Sequence, residues 1–210
     1  ACGNQKRQSV QRHFRDIFRV YGLPRAIYVD NGTPWATAMT SMKYTKFSAW
    51  LLRQDIEVIF GRPYHPQGRG KLERFHRTLK LEVLQGRSMS SLKEAQACFD
   101  PWRQIYNLER PHEALDLGTP SEHYRISERR FDDSNVAYEY NDHFEVRRPN
   151  AVGQFGFKGH TYRIGEAFAD RAIGLSATQK DGVWDVWYCR FVIARLDERT
   201  KMIDRHQPRG

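Results

Sequence analysis

Cysteine is scarce in this sequence, and long apolar runs are missing from it. Cys2, Cys98 and Cys189 are the three cysteines in 210 residues. Odd in number and far apart, they exclude a disulfide framework and any zinc-knuckle spacing, and they suit a reducing, cytoplasmic setting. No stretch approaches the roughly 20 apolar residues that cross a bilayer, and no charged-then-apolar segment opens these residues, so no membrane partner is expected. Internal repeats and low-complexity tracts are lacking too. The first residue is Ala, and "ACGNQ" reads like the end of a strand entered halfway, so a preceding part is expected.

Acid is also short, and unevenly so. The chain carries a formal charge of +9 with a pI near 9.6, at 40% hydrophobic and 28% charged residues. That composition fits one large or two small globular domains with a real core. The excess of cations favours a polyanionic partner, because cations that displace condensed counterions gain affinity without reading sequence. Between Arg62 and Lys80 stand Arg62, Arg69, Lys71, Arg74, Arg77 and Lys80, against the single acid Glu73.

Periodicity divides the chain into two regimes. From Lys6 to Tyr21, Val10, Phe14, Ile17, Phe18 and Tyr21 recur at helical spacing, and Gly22 and Pro24 stop the helix. A short buried strand, Ala26 to Val29, ends on Asp30, Asn31 and Gly32. A helix is predicted over Tyr44 to Gln54, a strand over Ile56 to Phe60, and a loop over the Gly- and Pro-rich Gly61 to Gly70. Leu72, Phe75, Leu79 and Val83 form a core-facing stripe on a helix from Lys71 to Leu84. Leu92, Ala95, Phe99, Trp102 and Tyr106 do the same from Ser91 to Tyr106. After the polar, aperiodic "SERRFDDSN", the pattern alternates through "HFEVRR", "GQFGFKGHTYRI", "AIGLSAT", "VWDVWYC" and "VIARLD", which predicts a small five-stranded barrel. The basic tail from Lys201 to Gly210 is expected to be loose.

Two carboxylates invite a chemical reading. On a helix that advances about 100° per residue, Arg69, His76, Arg77 and Lys80 fall within about 60° of Glu73, and Lys71 and Arg74 point elsewhere. Glu73 is then either a surface ion-pair partner of those cations or an acid open to a ligand on a basic face. Glu82, on the same helix, points nearly the opposite way. Asp30 closes a buried strand, where a carboxylate either makes an Asx turn or projects into a cleft to hold a hard cation through oxygen. His65 and His76 lack zinc spacing with a cysteine. Asn107, Arg110, Pro111 and His112 are expected to fix the turn after the last helix. Trp184, Trp187 and Tyr188 read as barrel core and surface rather than a stacking platform.

"YGLPRAIYVDNGTPW", "RPYHPQGRGKLERFHRTLKLEVL" and "WRQIYNLERPHEAL…TPSEHY" together resemble the integrase-core transposases of bacterial insertion sequences, relatives of retroviral integrases with an Asp-Asp-Glu triad. The resemblance implies an α/β fold: an incomplete RNase H-like integrase catalytic core over 1–125, a linker at 126–136, a small SH3-like β-barrel over 137–200 and the tail at 201–210. It implies that Asp30 matches the second Asp and Glu73 the terminal Glu, at an interval longer than the family's usual one. The first Asp would lie upstream of Ala1, and Asp16, inside a helix, does not replace it. Implied further are two Mg²⁺ or Mn²⁺ ions in the complete enzyme and DNA as partner, both element ends and target. Arg69, Lys71, Arg74, His76, Arg77 and Lys80 would face the DNA, with a homo-multimer assembled on it in the bacterial cytoplasm. The implied reaction is 3′-end nicking followed by strand transfer. The isolated chain, with two carboxylates, is expected to show little strand transfer; an inactive DNA-binding or assembly module is the alternative.

Overall fold

A computed structural model describes residues 3–4, 6–37, 42–61, 70–134 and 136–205. The expected loop between Gly61 and Gly70, with Arg62, His65 and Arg69, lies outside the described residues apart from its two ends. The chain forms two compact units, Ala1–Gly22 with Arg62–Glu128, and Leu23–Gly61 with Arg129–Gly210.

The first unit is helical. Helix α1 (Arg7–Tyr21) buries Phe18, with Phe14 edge-on to it, and ends where Gly22 takes φ +72° and donates its N–H to the Phe18 carbonyl at 2.9 Å. Helix α3 (Gly70–Leu79) runs into a π-helical turn, Lys80–Leu84. Helix α4 (Leu92–Gln104) likewise ends in a π turn, Ile105–Glu109. Ser91 caps α4, its Oγ accepting the Glu94 N–H at 3.1 Å. A short helix α5 (Pro120–His123) follows, started by a Thr119/Glu122 capping box. The expected stripes are confirmed in their middle and corrected at their start. Val83 is buried and Phe75 and Leu79 half-buried, but Leu72 and Leu92 are more than half exposed. Both occupy the first turn of their helix.

In the second unit, β1 (Ala26–Val29) pairs in parallel with β2 (Glu57–Phe60), Ile27 opposite Val58 and Val29 opposite Phe60. Val29 and Val58 are buried, whereas Tyr28 and Ile59, paired on the other face, are exposed. Helix α2 (Lys46–Arg53) lies between the two strands in sequence and is shorter than predicted. Thr45 Oγ1 accepts the Ser48 N–H at 3.1 Å while Ser48 Oγ accepts the Thr45 N–H at 2.7 Å, so the cap sets the start. Phe47 through Leu52 are all buried. Tyr44 packs edge-on to Phe60 and Phe168, and burial pushes its phenol up to about 12. Within "SERRFDDSN", Arg129 donates to the Pro24 carbonyl at 2.9 Å and to the Asp55 carbonyl at 2.6 Å, and Phe131 meets Trp50.

The rest of this unit is antiparallel. Strands β3 (Glu145–Arg147), β6 (Ile173–Ala177), β7 (Val183–Tyr188), β8 (Phe191–Asp197) and β9 (Met202–Arg205) form one five-stranded sheet in that order. Strands β4 (Gln154–Phe157) and β5 (His160–Arg163) form a separate hairpin. Phe157, Phe168, Ile173, Leu175, Ile193 and Leu196 are fully buried here. This is a small β domain of the SH3-like kind. Its sheet takes in part of the expected tail: Met202–Arg205 pairs with Ala194–Asp197. Tyr188 is buried and the two half-buried indoles each donate to a side chain, Trp184 to Glu198 and Trp187 to Ser176 Oγ at 2.9 Å. Those rings serve packing, as their alternation predicted.

Candidate nucleic-acid interface and carboxylates

Helix α3 presents two sides. On one, Gly70, Glu73, Arg74 and Arg77 line a depression of about 380 Å³. Glu73, Arg74 and Arg77 are all exposed, so one carboxylate and two guanidiniums share a wet, positively biased surface. Gly70 opens the helix, and among the described residues nothing lies within 4 Å of where a Cβ would stand. Arg74 corrects the helical-wheel reading: although it lies about 100° from Glu73 on the wheel, it lines the same depression. Lys71 and Lys80 are exposed. His76 has its ring 5.7 Å from that of Phe75. Arg69 lies outside the described residues.

The opposite side of α3 is anchored. Phe75 packs edge-on to Trp102 at 5.6 Å and to Tyr106 at 5.4 Å. In the π turn, the Glu82 carboxylate accepts the Trp102 indole N–H at 2.6 Å and two bonds from Arg110 Nη2, at 2.9 and 2.7 Å. Arg110 also lies over the Tyr106 ring at 5.4 Å, and His112 closes on the same ring at 4.9 Å. Arg110 and His112 thus do hold the turn after α4, as expected. What sequence reasoning missed is that Arg110 holds it through Glu82. One signal was available: Trp102 sits on an apolar stripe and brings an N–H that needs an acceptor.

The Arg110 guanidinium, and after it the Trp102 indole, hold the Glu82 carboxyl below the usual carboxylate range. A carboxylate whose pKa is depressed on folding stabilises the fold above its unfolded pKa, near 4.5, and loses that contribution as pH falls through the folded value. Because both partners are about one-third exposed, solvent screens the pair to roughly 1 kcal/mol. Acid titration followed by Trp102 fluorescence is therefore expected to show a step below pH 4.5 that Glu82→Gln removes. An unchanged step in that variant contradicts the assignment.

Asp30 closes β1 in the other unit. Its Oδ1 accepts the Gly32 N–H at 2.8 Å, the Asx turn that the Asp-Asn-Gly order allows, while the residue stays exposed. Asn31 Nδ2 donates to the Gly61 carbonyl at 2.9 Å and ties the end of β1 to the end of β2. Its Oδ1 is buried and has no hydrogen-bond partner among the described residues. Among the described residues, no group of three or more His, Cys, Asp or Glu gathers as a metal cluster.

Residues 54–120 match the family described as "Integrase core domain", and residues 144–204 match "IS481 family transposase, C-terminal domain". The chain thus carries an integrase-core match followed by a match to a transposase C-terminal domain, in that order. More particularly, it is related to the transposases of insertion sequences. It is 30% identical over 101 residues to "Insertion element IS476 uncharacterized 39.2 kDa protein" of Xanthomonas euvesicatoria, covering 48% of this chain and 27% of that protein. Two further relatives come from mouse sources. The "Intracisternal A-particle Pol-related polyprotein" of a mouse intracisternal A-particle is 36% identical over 80 residues, or 38% of this chain and 8% of that protein. A mouse "IgE-binding protein" is 38% identical over 80 residues, or 38% of this chain and 13% of that protein. The chain spans about a quarter or less of these relatives. A chain in the "CryoEM structure of simian T-cell lymphotropic virus intasome in complex with PP2A regulatory subunit B56 gamma" is similar over 98% of this chain and 66% of its own length, at 15% identity and a TM-score of 0.43. No helix among the described residues is long and apolar enough to cross a membrane.

Proposed function

We propose that this chain belongs to the DNA-processing machinery of an insertion sequence, with Asp30 and Glu73 as carboxylate ligands of divalent cations and the basic side of α3 as a DNA-backbone interface. The observation that carries the reading is Glu73 together with Arg74 and Arg77 at one depression, inside the segment matched to the integrase core. An acid in that company can hold a cation where the flanking guanidiniums hold phosphate.

The donor set fits Mg²⁺ or Mn²⁺ rather than zinc. Both acids are hard oxygen donors, both are exposed, and Asn31, next to Asp30 in sequence, has an Oδ1 without a hydrogen-bond partner among the described residues. When bound, such ions would activate an attacking oxygen and stabilise a leaving one in phosphoryl displacement. Asp30, anchored at one oxygen by the Gly32 N–H, would offer the other. Arg74, Arg77 and Lys80, joined by Lys71, His76 and Arg69, would position the phosphodiester without reading bases. Element ends and target DNA are the proposed substrates, nicking and strand transfer the proposed reactions, and a multimer on DNA the proposed assembly.

Mn²⁺ binding, read by electron paramagnetic resonance in the presence of duplex DNA, tests this on the chain as it stands. The wild type is expected to bind Mn²⁺, and Asp30→Ala and Glu73→Ala each to weaken that binding about tenfold or more while DNA affinity is retained, the scale of losing an anionic ligand. Undiminished Mn²⁺ affinity in both variants would sink the assignment. Asp30 would then be left with its turn alone, which is the inactive-module reading.

A further inference from the structure

We infer that Glu82, Trp102 and Arg110 are positioning residues: they lock the rotation of α3 from behind, so that Glu73, Arg74 and Arg77 face the DNA backbone as one surface. This rests on the DNA reading above and extends it to residues remote from the depression.

At about 100° per residue along α3, Phe75 lies about 200° around from Glu73, and Glu82, in the π turn where each residue advances less, about 150°. Phe75 and Glu82, the two anchor points on this helix, are therefore on the side away from Glu73. Phe75 against Trp102 and Tyr106 gives the helix a packed back at one level. Glu82, two turns later, adds a directional lock at a second level, with its two oxygens shared by an indole N–H and a guanidinium. Apolar contact at one level permits rocking, whereas two levels with hydrogen-bond directionality do not. The lock sits where both helices change register: the Gln85 N–H bonds the Lys80 carbonyl at 2.8 Å and the Arg110 N–H the Ile105 carbonyl at 2.9 Å, each five residues back. Such π turns commonly mark functional positions. A cation–π contact with Tyr106 fixes the plane of Arg110 in turn.

Charge gives the test a sign. Glu82→Gln removes a negative charge and frees a guanidinium, so on charge alone it strengthens binding to DNA. A positioning role predicts the reverse. Trp102→Phe and Arg110→Lys keep the net charge while removing one lock each. Ser91→Ala is the structural control, since it takes away the α4 cap without touching the lock. The experiment is fluorescence anisotropy of a labelled duplex as a function of salt, at a temperature where circular dichroism shows every variant folded. Glu82→Gln, Trp102→Phe and Arg110→Lys are each expected to weaken binding about 3- to 10-fold and to lower the salt slope by about one phosphate contact. Ser91→Ala is expected to change neither. Tighter binding by Glu82→Gln overturns the inference, and so does a Ser91→Ala loss equal to the others. A wild type with no salt-dependent DNA binding overturns the DNA reading itself, and this inference with it.

Discussion

Gly153→Ala is expected to unfold the β domain, at a cost of about 4 kcal/mol or more, whereas the same change at Gly159 costs only about 1 kcal/mol. The two glycines share a backbone conformation, φ +77° at each. They differ in what a side chain would meet. A Cβ on Gly159 has nothing within 4 Å, but a Cβ on Gly153 would stand 2.2 Å from the Gly165 carbonyl carbon and 2.3 Å from its oxygen. Backbone cannot swing aside as a side chain can. The Gly153 carbonyl also accepts the Ile164 N–H at 2.8 Å, and its N–H donates to the Asn150 carbonyl at 2.8 Å, so moving the chain apart breaks the base of the β4–β5 hairpin. Asparagine separates the two costs, because it tolerates positive φ. Gly159→Asn is expected to be nearly neutral and Gly153→Asn as damaging as Gly153→Ala. Urea unfolding followed by tryptophan fluorescence gives the comparison. A mild Gly153→Asn would mean that φ, not collision, is the whole penalty.

How much of this architecture sequence could reveal depends on how local its cause is. Strand β1 was legible to the residue because Pro24 bars the chain before it and Asp-Asn-Gly turns it after. Helix α2 begins two residues later than its apolar pattern suggests because a Thr45–Ser48 capping box, readable once sought, overrides periodicity. Strand β9 lies in a stretch whose composition predicts a loose tail: four residues long and only half-buried, it is strand because β8 offers it a partner, a non-local cause. Leu72 and Leu92 show the limit of a stripe, which gives a face but not how far along the helix its cover extends. The two π turns leave no mark in apolar spacing strong enough to read.

For the candidate site the division is similar. Asp30 at a strand end, and Glu73 among cations, were visible as residue types in context, and the depression joins Glu73 to Arg77 as spacing predicted. The part played by Arg74 was not, since on the wheel it lies about 100° from Glu73. Nor was the lock behind α3, whose three members are far apart in sequence and meet only because α4 returns alongside.

The second large effect is expected at Gly174, where no unusual φ is involved and the constraint is proximity alone. A Cβ there would stand 2.7 Å from two ring carbons of Tyr140 and 2.8 Å from one of Phe144. Tyr140 cannot yield freely. Its hydroxyl donates to the Trp187 carbonyl at 3.1 Å and accepts the Cys189 N–H at 2.9 Å, and Phe144, packed on it, is edge-on to Trp187. Overpacking and the loss of those two bonds together put Gly174→Ala at about 3 kcal/mol. Tyr140→Phe, which keeps the ring but strands a backbone N–H and a carbonyl, is expected to cost about 2 kcal/mol. The two losses share a cause. If the methyl added by Gly174→Ala already pushes the ring off its partners, removing the hydroxyl afterwards costs little, so the double variant should be less destabilised than the sum by about 1 kcal/mol or more. Chemical denaturation of the four proteins measures that coupling. Strict additivity would show that Tyr140 keeps its hydrogen bonds past the added methyl, and that the strand at Gly174, rather than the ring, gives way.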